Sequence, residues 1–315
     1  MDLAGVRVAV TGAAGFIGAA LCTRLESDGA EVTGLDLAGA GRVCDVTDAR
    51  TVAAALEGSE LVVHTAALVT DHGSMDDFVR VNVRGTRNVL DGARAAGVRR
   101  VVHLSSVAGW GHDFRHELAE GAEPRACGVP YVDTKAASDA LARARGATVV
   151  RPGDVYGPGS VPWTRRPLEA LRAGRFAVPA PGDGLMTLVY VDDLVDCIVR
   201  ALVLPEGERG VFVAWDGYPV TARAYFDRLA AMLGKDGVPV LPRPLLLAGI
   251  AGEGMLARLQ RRPPTATRFA VDYISRTAAY SNARARGKLG WEPRVSFDEG
   301  MRRTEAWARA EGLLG

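Results

Sequence analysis

Short β-branched runs alternate with longer stretches of helical period through the first half of the chain. The runs at residues 6–11, 31–35, 61–66, 101–105 and 148–151 predict strands. Between them, apolar spacing of three and four predicts helices over 16–28, 49–56, 78–96 and 132–144, each bounded by Gly, Asp or Pro where a cap or break belongs. Strand–helix alternation of this kind specifies a doubly wound α/β fold, a parallel sheet with helices on both faces.

The alternation stops after Arg151. Pro152, Gly153, Gly157, Pro158, Gly159, Pro162 and Pro167 crowd one short span, and punctuation that dense marks a change of architecture. The expected organisation is a sheet domain over residues 1–160, rejoined by parts of 187–215, and a smaller mixed lobe over 161–315. In that lobe the pattern predicts strands at 188–191 and 211–215, a helix at 192–204 and further helices from 221 onward. Residues 245–259 are apolar, broken by Gly249, Gly252 and Gly254, and too short to span lipid. They predict a buried helix, with part of an apolar pocket wall as the alternative.

Composition adds exclusions. The 315 residues are 48% hydrophobic and 24% charged, with no apolar run long enough to cross a bilayer, so no membrane partner is expected. The opening MDLAGVRVAV lacks the basic region of a signal peptide and is read as the first strand, which implies a cytoplasmic protein. A net charge of +1 without a basic block argues against nucleic acid. Cys22, Cys44, Cys127 and Cys197 stand far apart without a Cys-x-x-Cys pair and read as small buried hydrophobes. His112 and His116, with Glu117, have the i, i+4 spacing of metal ligands, but no further cluster joins them and no metal is expected.

Chemistry enters at the first strand–helix junction. Thr11-Gly12-Ala13-Ala14-Gly15-Phe16-Ile17-Gly18 places three glycines where backbone amides at a helix N-terminus can approach a pyrophosphate. Asp36 follows 18 residues past Gly18, at the end of the second strand, where a carboxylate can take ribose hydroxyls. That carboxylate repels a 2′-phosphate, and no Arg follows it, so NAD is favoured over NADP.

Further on, Tyr131 and Lys135 form Tyr-x-x-x-Lys, a spacing that puts both side chains on one helix face. A phenol titrating near pH 10 is a poor base at neutrality, and an adjacent ammonium stabilises its phenolate. Only three of the 38 basic residues are Lys, at 135, 235 and 288, so coincidence is a poor explanation. A hydroxyl at the end of the strand over 101–105 completes the set, and Ser105 and Ser106 are both candidates.

With Gly-x-x-Gly-x-x-Gly and Tyr-x-x-x-Lys in these positions, nearly the whole chain resembles the extended short-chain dehydrogenase/reductase family, the group of NAD-dependent epimerases and dehydratases. The resemblance implies a Rossmann-type fold. It makes Asp45 and Val46 the adenine-edge contacts, and Thr65, Ala66 and Ala67, after a structural His64, the loop along the cofactor. It also matches Asn82-Val83-x-Gly85-Thr86-x-Asn88 to the family's central helix, with Asn82 on the cofactor side. Gly12, Ala14, Gly15, Phe16, Ile17, Gly18, Pro152 and Val155 are further cofactor contacts by the same resemblance. The alignment on Gly109-Trp110-Gly111 selects Ser106, 25 residues before Tyr131, to polarise the substrate oxygen, and leaves Ser105 on the nicotinamide side. Tyr131 then exchanges the proton and Lys135 holds the nicotinamide ribose. Asp192 and Asp193, in the Val-Tyr-Val-Asp-Asp segment, are expected to cap the helix that follows. The family also implies a homodimer.

The substrate is where the family pattern divides. Nucleotide-sugar enzymes commonly carry an Arg four residues before the Tyr of Val-Tyr-Val-Asp-Asp, and this chain has Met186 there. They often carry an Asn after Pro152, where this chain has Gly153 and Asp154. Arg165 or Arg268 could replace the missing guanidinium. What remains resembles the 3β-hydroxysteroid dehydrogenase and dihydroflavonol reductase-like branch, through Tyr280-Ser281, Lys288-Leu289-Gly290-Trp291-Glu292-Pro293 and Glu299-Gly300-Met301. The expectation is an NAD-dependent oxidoreductase acting on a bulky secondary alcohol or ketone, with Ser106, Trp110, Tyr131, Gly153, Tyr156, Trp163 and Met186 lining the substrate. Phe114 and Trp215 are other aromatics that could line a cavity. The alternatives are a nucleotide-sugar 4-epimerase or dehydratase and a non-catalytic NAD-binding interaction protein.

Overall fold

Seven strands pair side by side in one parallel sheet because their runs are apolar on both faces and demand cover from helices on each side. The computed structural model describes residues 3–39, 41–70, 72–111, 116–205, 207–277 and 279–314, so the expectations for His112 and Phe114 lie outside the described residues. In chain order the first half runs β1 (Arg7–Thr11), α1 (Phe16–Ser27), β2 (Glu31–Asp36), β3 (Arg42–Val43), α2 (Ala49–Leu56), β4 (Leu61–His64), α3 (Met75–Phe78), α4 (Thr86–Ala95), β5 (Arg100–Leu104), α5 (Pro130–Ala144) and β6 (Thr148–Pro152). The second half continues with β7 (Asp154–Tyr156), α6 (Arg166–Arg172), β8 (Val178–Pro179), β9 (Leu185–Met186), β10 (Leu188–Tyr190), α7 (Val191–Leu202), β11 (Val211–Ala214), β12 (Val220–Thr221), α8 (Ala222–Met232), β13 (Val240–Leu241), α9 (Arg243–Leu259), α10 (Arg268–Tyr273), α11 (Ala283–Leu289) and α12 (Phe297–Ala310).

The sheet order is β11-β6-β5-β4-β1-β2-β3. From β1 the chain builds outward through β2 and β3, then returns to the other side of β1 and builds through β4, β5 and β6. The reversal between β1 and β4 opens a crevice at the carboxyl ends of the strands, the place where open α/β sheets bind ligands. Strand β11 comes back from the second half to pair with β6, Val211 opposite Val149. The second half otherwise holds three two-stranded sheets: β7 with β10, β8 with β13, and β9 with β12.

Two predicted helices differ from the pattern. The stretch over 78–96 is divided: a π-helical turn, Val79–Gly85, separates α3 from α4. A Cβ on Gly85 would stand 2.9 Å from Val46 Cγ2, so this turn is drawn tight against the segment that follows β3. The stretch over 245–259 is a helix, as its period predicts, but it is not buried. Leu245, Met255, Leu256 and Leu259 are exposed, and Ala257 alone is buried. Apolar period locates an apolar face and cannot say that anything covers it. Of the cysteines, Cys44 and Cys197 are buried and Cys22 partly so, but Cys127 is exposed.

Two imidazoles lie inside the sheet, paired across β4 and β5 as His64 and His103, with ring centroids 5.3 Å apart. His64 shares hydrogen bonds with Thr11 Oγ1 at 2.7 Å and Thr86 Oγ1 at 3.0 Å, as its structural reading expected. Burial, with the Lys135 charge adding to it, lowers His64 to about 3. Burial acts likewise on His103, whose ring nitrogens have no hydrogen-bond partner. The unfolded chain therefore takes up protons as pH falls below about 6.5 while the folded chain does not, and stability present above that pH is lost on acidification. Replacing His103 by Leu removes one such group. Its melting temperature should fall less than the parent's between pH ~7 and ~4.5 in calorimetric scans, and an equal fall would show that His103 does not carry the acid sensitivity.

Candidate active site

The expected cofactor residues converge on one edge. The turn from Gly12 to Gly18 leaves the end of β1, Asp36 ends β2, Asp45 and Val46 follow β3, Thr65 to Ala67 follow β4, Ser106 follows β5 and Pro152 ends β6. The β1–α1 turn is tight. Gly12 has φ +75°, and a Cβ there would stand 2.7 Å from Ala66 N; a Cβ on Gly18 would stand 2.0 Å from Gly12 O. Its helix N-cap, Gly15, brings no side chain to the first amides of α1, which leaves that positive end to an anionic group. Asp36 accepts hydrogen bonds from Ala14 N at 2.9 Å and Leu37 N at 2.7 Å, so a half-buried carboxylate stands over the turn. A side-chain-free cradle at a helix N-terminus, with a carboxylate on the neighbouring strand end, fits a dinucleotide carrying free ribose hydroxyls.

Beside this cradle, α5 begins with Pro130 at its first position and carries Tyr131 and Lys135 in its first two turns. Tyr131 is half-buried, and Lys135 is 4% exposed with Nζ donating to Leu104 O at 2.8 Å. Burial lowers the Lys135 ammonium to about 8, against an opposing pull from Asp139. Ser106 is half-exposed and caps the short 3-10 turn Val107–Trp110. Its Oγ accepts from Ala108 N at 3.0 Å and retains its own proton to donate.

Beneath Lys135 lies a polar network that the sequence did not announce. Asp139, one turn further along α5 and fully buried, accepts two hydrogen bonds from Arg151, each 2.7 Å, and one from Arg143 Nε at 2.9 Å. Burial alone would raise this carboxyl, but Arg151 overcomes it and holds Asp139 below its ordinary range. Arg151 also donates to Glu120 O and Ala122 O and lies 4.5 Å from the centre of the Trp110 ring. Its only advance signal was a charged residue at the end of an apolar strand run.

A second buried network ties the two halves of the chain together. Asp154, 1% exposed, pairs with the fully buried Arg276, and it also accepts from Tyr273 Oη at 2.9 Å and Thr187 N at 2.8 Å. Partners 122 residues apart leave no local pattern to read. Gly153 permits the approach, since a Cβ there would stand 2.0 Å from Thr187 O.

Several expected contacts are corrected by these placements. Tyr156 and Met186 have no exposed surface: Tyr156 packs edge-on to Tyr190 and Tyr225, and Met186 lies in β9 opposite Val220. Trp110 is buried, stacked on Tyr280 and hydrogen-bonded to Ala122 O. Trp215 is buried with its indole nitrogen on Tyr280 O. Val155 is packed in β7 opposite Val189. These side chains pack in the interior. Trp163 remains half-exposed and stacks on Tyr273. Ser105 is buried beside Asp139. Asn82 is 2% exposed, its amide clasping both backbone groups of Leu68 and Thr134 Oγ1, so it fixes the loop after β4 from behind. Asp193 does not cap its own helix. Its carboxylate accepts from Arg294 N and Val295 N and holds the segment before α12, while Asp192 pairs with Arg303.

Comparison with known proteins agrees with this architecture. The family model of the NAD dependent epimerase/dehydratase family matches residues 8–213. A 2-alkyl-3-oxoalkanoate reductase of Stenotrophomonas maltophilia is 30% identical, covering 97% of this chain and 100% of that protein. A UDP-glucose 4-epimerase of Mycolicibacterium smegmatis is 31% identical, covering 96% and 99%. Among solved structures, MoeE5 in complex with UDP-glucose and NAD superposes with a TM-score of 0.77 at 24% identity, over 97% of this chain and 99% of that one. With its crevice, glycine turn and Tyr-x-x-x-Lys helix in the places described, the chain belongs to the NAD dependent epimerase/dehydratase family, whose cofactor is NAD.

Proposed function

We propose that this protein is a dehydrogenase or reductase of bulky, apolar secondary alcohols or ketones, with Ser106, Tyr131 and Lys135 as its catalytic residues. Gly12, Gly15, Gly18 and the first amides of α1 hold the NAD pyrophosphate, Asp36 the adenosine ribose, and Lys135 the nicotinamide ribose. When bound, NAD supplies the acceptor or donor of hydride. Tyr131 gives a proton to the carbonyl oxygen during reduction and takes it back during oxidation. Ser106 donates a hydrogen bond to the same oxygen, and the Lys135 charge favours the Tyr131 phenolate.

The observation that carries the substrate class is the state of the arginines that could hold a sugar diphosphate. Arg276 is enclosed against Asp154, Arg165 pairs with Glu311 and Arg268 with Asp272, and position 186 holds a buried Met. The Arg276–Asp154 pair is buried and costly to open, whereas the exposed Arg165 and Arg268 pairs are weak, so the reading rests on Arg276 and Met186. The similarity to a 2-alkyl-3-oxoalkanoate reductase supports an apolar ketone. The similarity to a UDP-glucose 4-epimerase supports the second reading, in which the same three residues act while the hydride returns to the sugar.

NADH should form from NAD and a panel of hydroxysteroids and long-chain 3-hydroxy acids. Tyr131→Phe should lower kcat by about 10²–10⁴-fold and Ser106→Ala by about tenfold, with Ser105→Ala near the parent. Equal losses at the two serines would contradict the assignment, and epimer formation from a UDP-sugar without NADH would favour the second reading. Because burial lowers the Lys135 ammonium to about 8, its positive charge is lost on the alkaline side. Ketone reduction should therefore decline above about pH 8 in a kcat/KM profile. A profile flat to pH ~10 would show that the ammonium plays no part.

A further inference from the structure

Four of the ten large apolar side chains left exposed among the described residues lie on α9: Leu245, Met255, Leu256 and Leu259, between 49% and 84% exposed. With Gly249 and Gly252 they share one side of the helix, while Leu246, Ile250 and Glu253 turn toward the protein. The helix is apolar on its outward side as well as its inward one. Its one acid, Glu253, faces no solvent partner: it accepts from Arg262 at 2.6 Å and from Thr265 N and Oγ1 at 3.1 and 2.9 Å, fastening the turn after α9.

Charge around this face is one-sided. Residues 243–272 hold five Arg (243, 258, 261, 262 and 268) against Glu253 and Asp272, a net of +3 in a chain whose total is +1; Asp272 pairs with Arg243 and Arg268, and Glu253 with Arg262. Arg258 and Arg261 are exposed at the C-terminal end of the helix. An apolar face bordered by cations complements a surface that is apolar within and anionic at its rim. A second copy of this chain fits poorly, because a two-fold contact would set the same net-positive segment, with Arg258 and Arg261, against itself. A helix of 17 residues rises only about 25 Å and cannot cross the hydrocarbon core, so it would lie along the surface.

We propose that α9 docks this protein on an anionic lipid surface, its apolar face entering the headgroup boundary and Arg258 and Arg261 meeting lipid phosphates. The sequence expectation of no membrane partner rested on the lack of a spanning segment, which interfacial docking does not need. The helix packs on α10, whose Tyr273 bonds Asp154 at the carboxyl edge of the sheet. Docking thus sets the crevice beside the lipid, where an apolar substrate would concentrate. That last consequence rests on the proposed substrate class; the docking does not.

Vesicle sedimentation of the full chain separates the two. The protein should sediment with vesicles of equal parts phosphatidylcholine and phosphatidylglycerol, not with phosphatidylcholine alone, and should be released by salt. Arg258→Gln with Arg261→Gln should weaken binding roughly fivefold per arginine, about 25-fold for the pair. Leu256→Gln with Leu259→Gln should abolish binding while leaving the melting temperature unchanged, since both side chains are exposed. Failure of the parent to sediment with anionic vesicles at low salt would overturn the proposal, as would undiminished binding by the Leu variant. A concentration-dependent dimer that the Leu variant loses would assign the face to a second copy instead. Activity on a soluble apolar ketone without vesicle binding would remove the docking and leave the catalytic reading standing.

Discussion

An ammonium withdrawn from water is costly unless its surroundings replace the lost hydration, and the carboxyl edge of this sheet is arranged around one such group. Lys135 is almost fully buried, held by the Leu104 carbonyl at the end of β5. One helical turn on, Asp139 answers its charge, and Arg151 and Arg143 in turn hold Asp139. On the other side are His64 and His103, kept neutral by burial and by Lys135 itself. The result is a fixed cation in a region of low dielectric, where its influence on a neighbouring phenol exceeds what it would exert in water. Tyr131 stands four residues earlier on the same helix.

The second constraint lies across the crevice. Asp154 and Arg276 are both within 3% of full burial, and a pair of that kind is costly to break because removing either partner leaves the other charge without solvent. Tyr273 and Thr187 add hydrogen bonds to Asp154, so α10 and the link between β9 and β10 are bound to the start of β7. By pairing with each other, Asp154 and Arg276 are withdrawn from solvent at the place where the chain leaves the sheet.

The fold was legible because its signals are local. Apolar strand runs, the glycine turn and the helix caps each occupy a few residues, and each strand of the first half predicted from them is present. The cofactor edge was legible for the same reason, since Gly12, Gly15, Gly18 and Asp36 sit at strand ends that period alone locates. The substrate side was not. Whether Tyr156 and Met186 face a cleft or the core depends on elements arriving from 30 to 150 residues away, and no periodicity within their own short strands records it. Arg151–Asp139 and Asp154–Arg276 were invisible for a related reason, because pairing across folded elements leaves no spacing in sequence. The helix at 243–259 shows the opposite failure: its period was read correctly, but burial is a property of what packs against a face.

The proposed substrate class, an apolar ketone or alcohol and not a nucleotide sugar, is the claim most open to test. The most direct measurement is calorimetric titration of UDP into the NAD-saturated protein. No saturable heat is predicted at millimolar UDP, because Arg276 is enclosed against Asp154 and position 186 holds a buried Met. Saturable binding at micromolar UDP would contradict it and would return the protein to the sugar-nucleotide enzymes that share its fold.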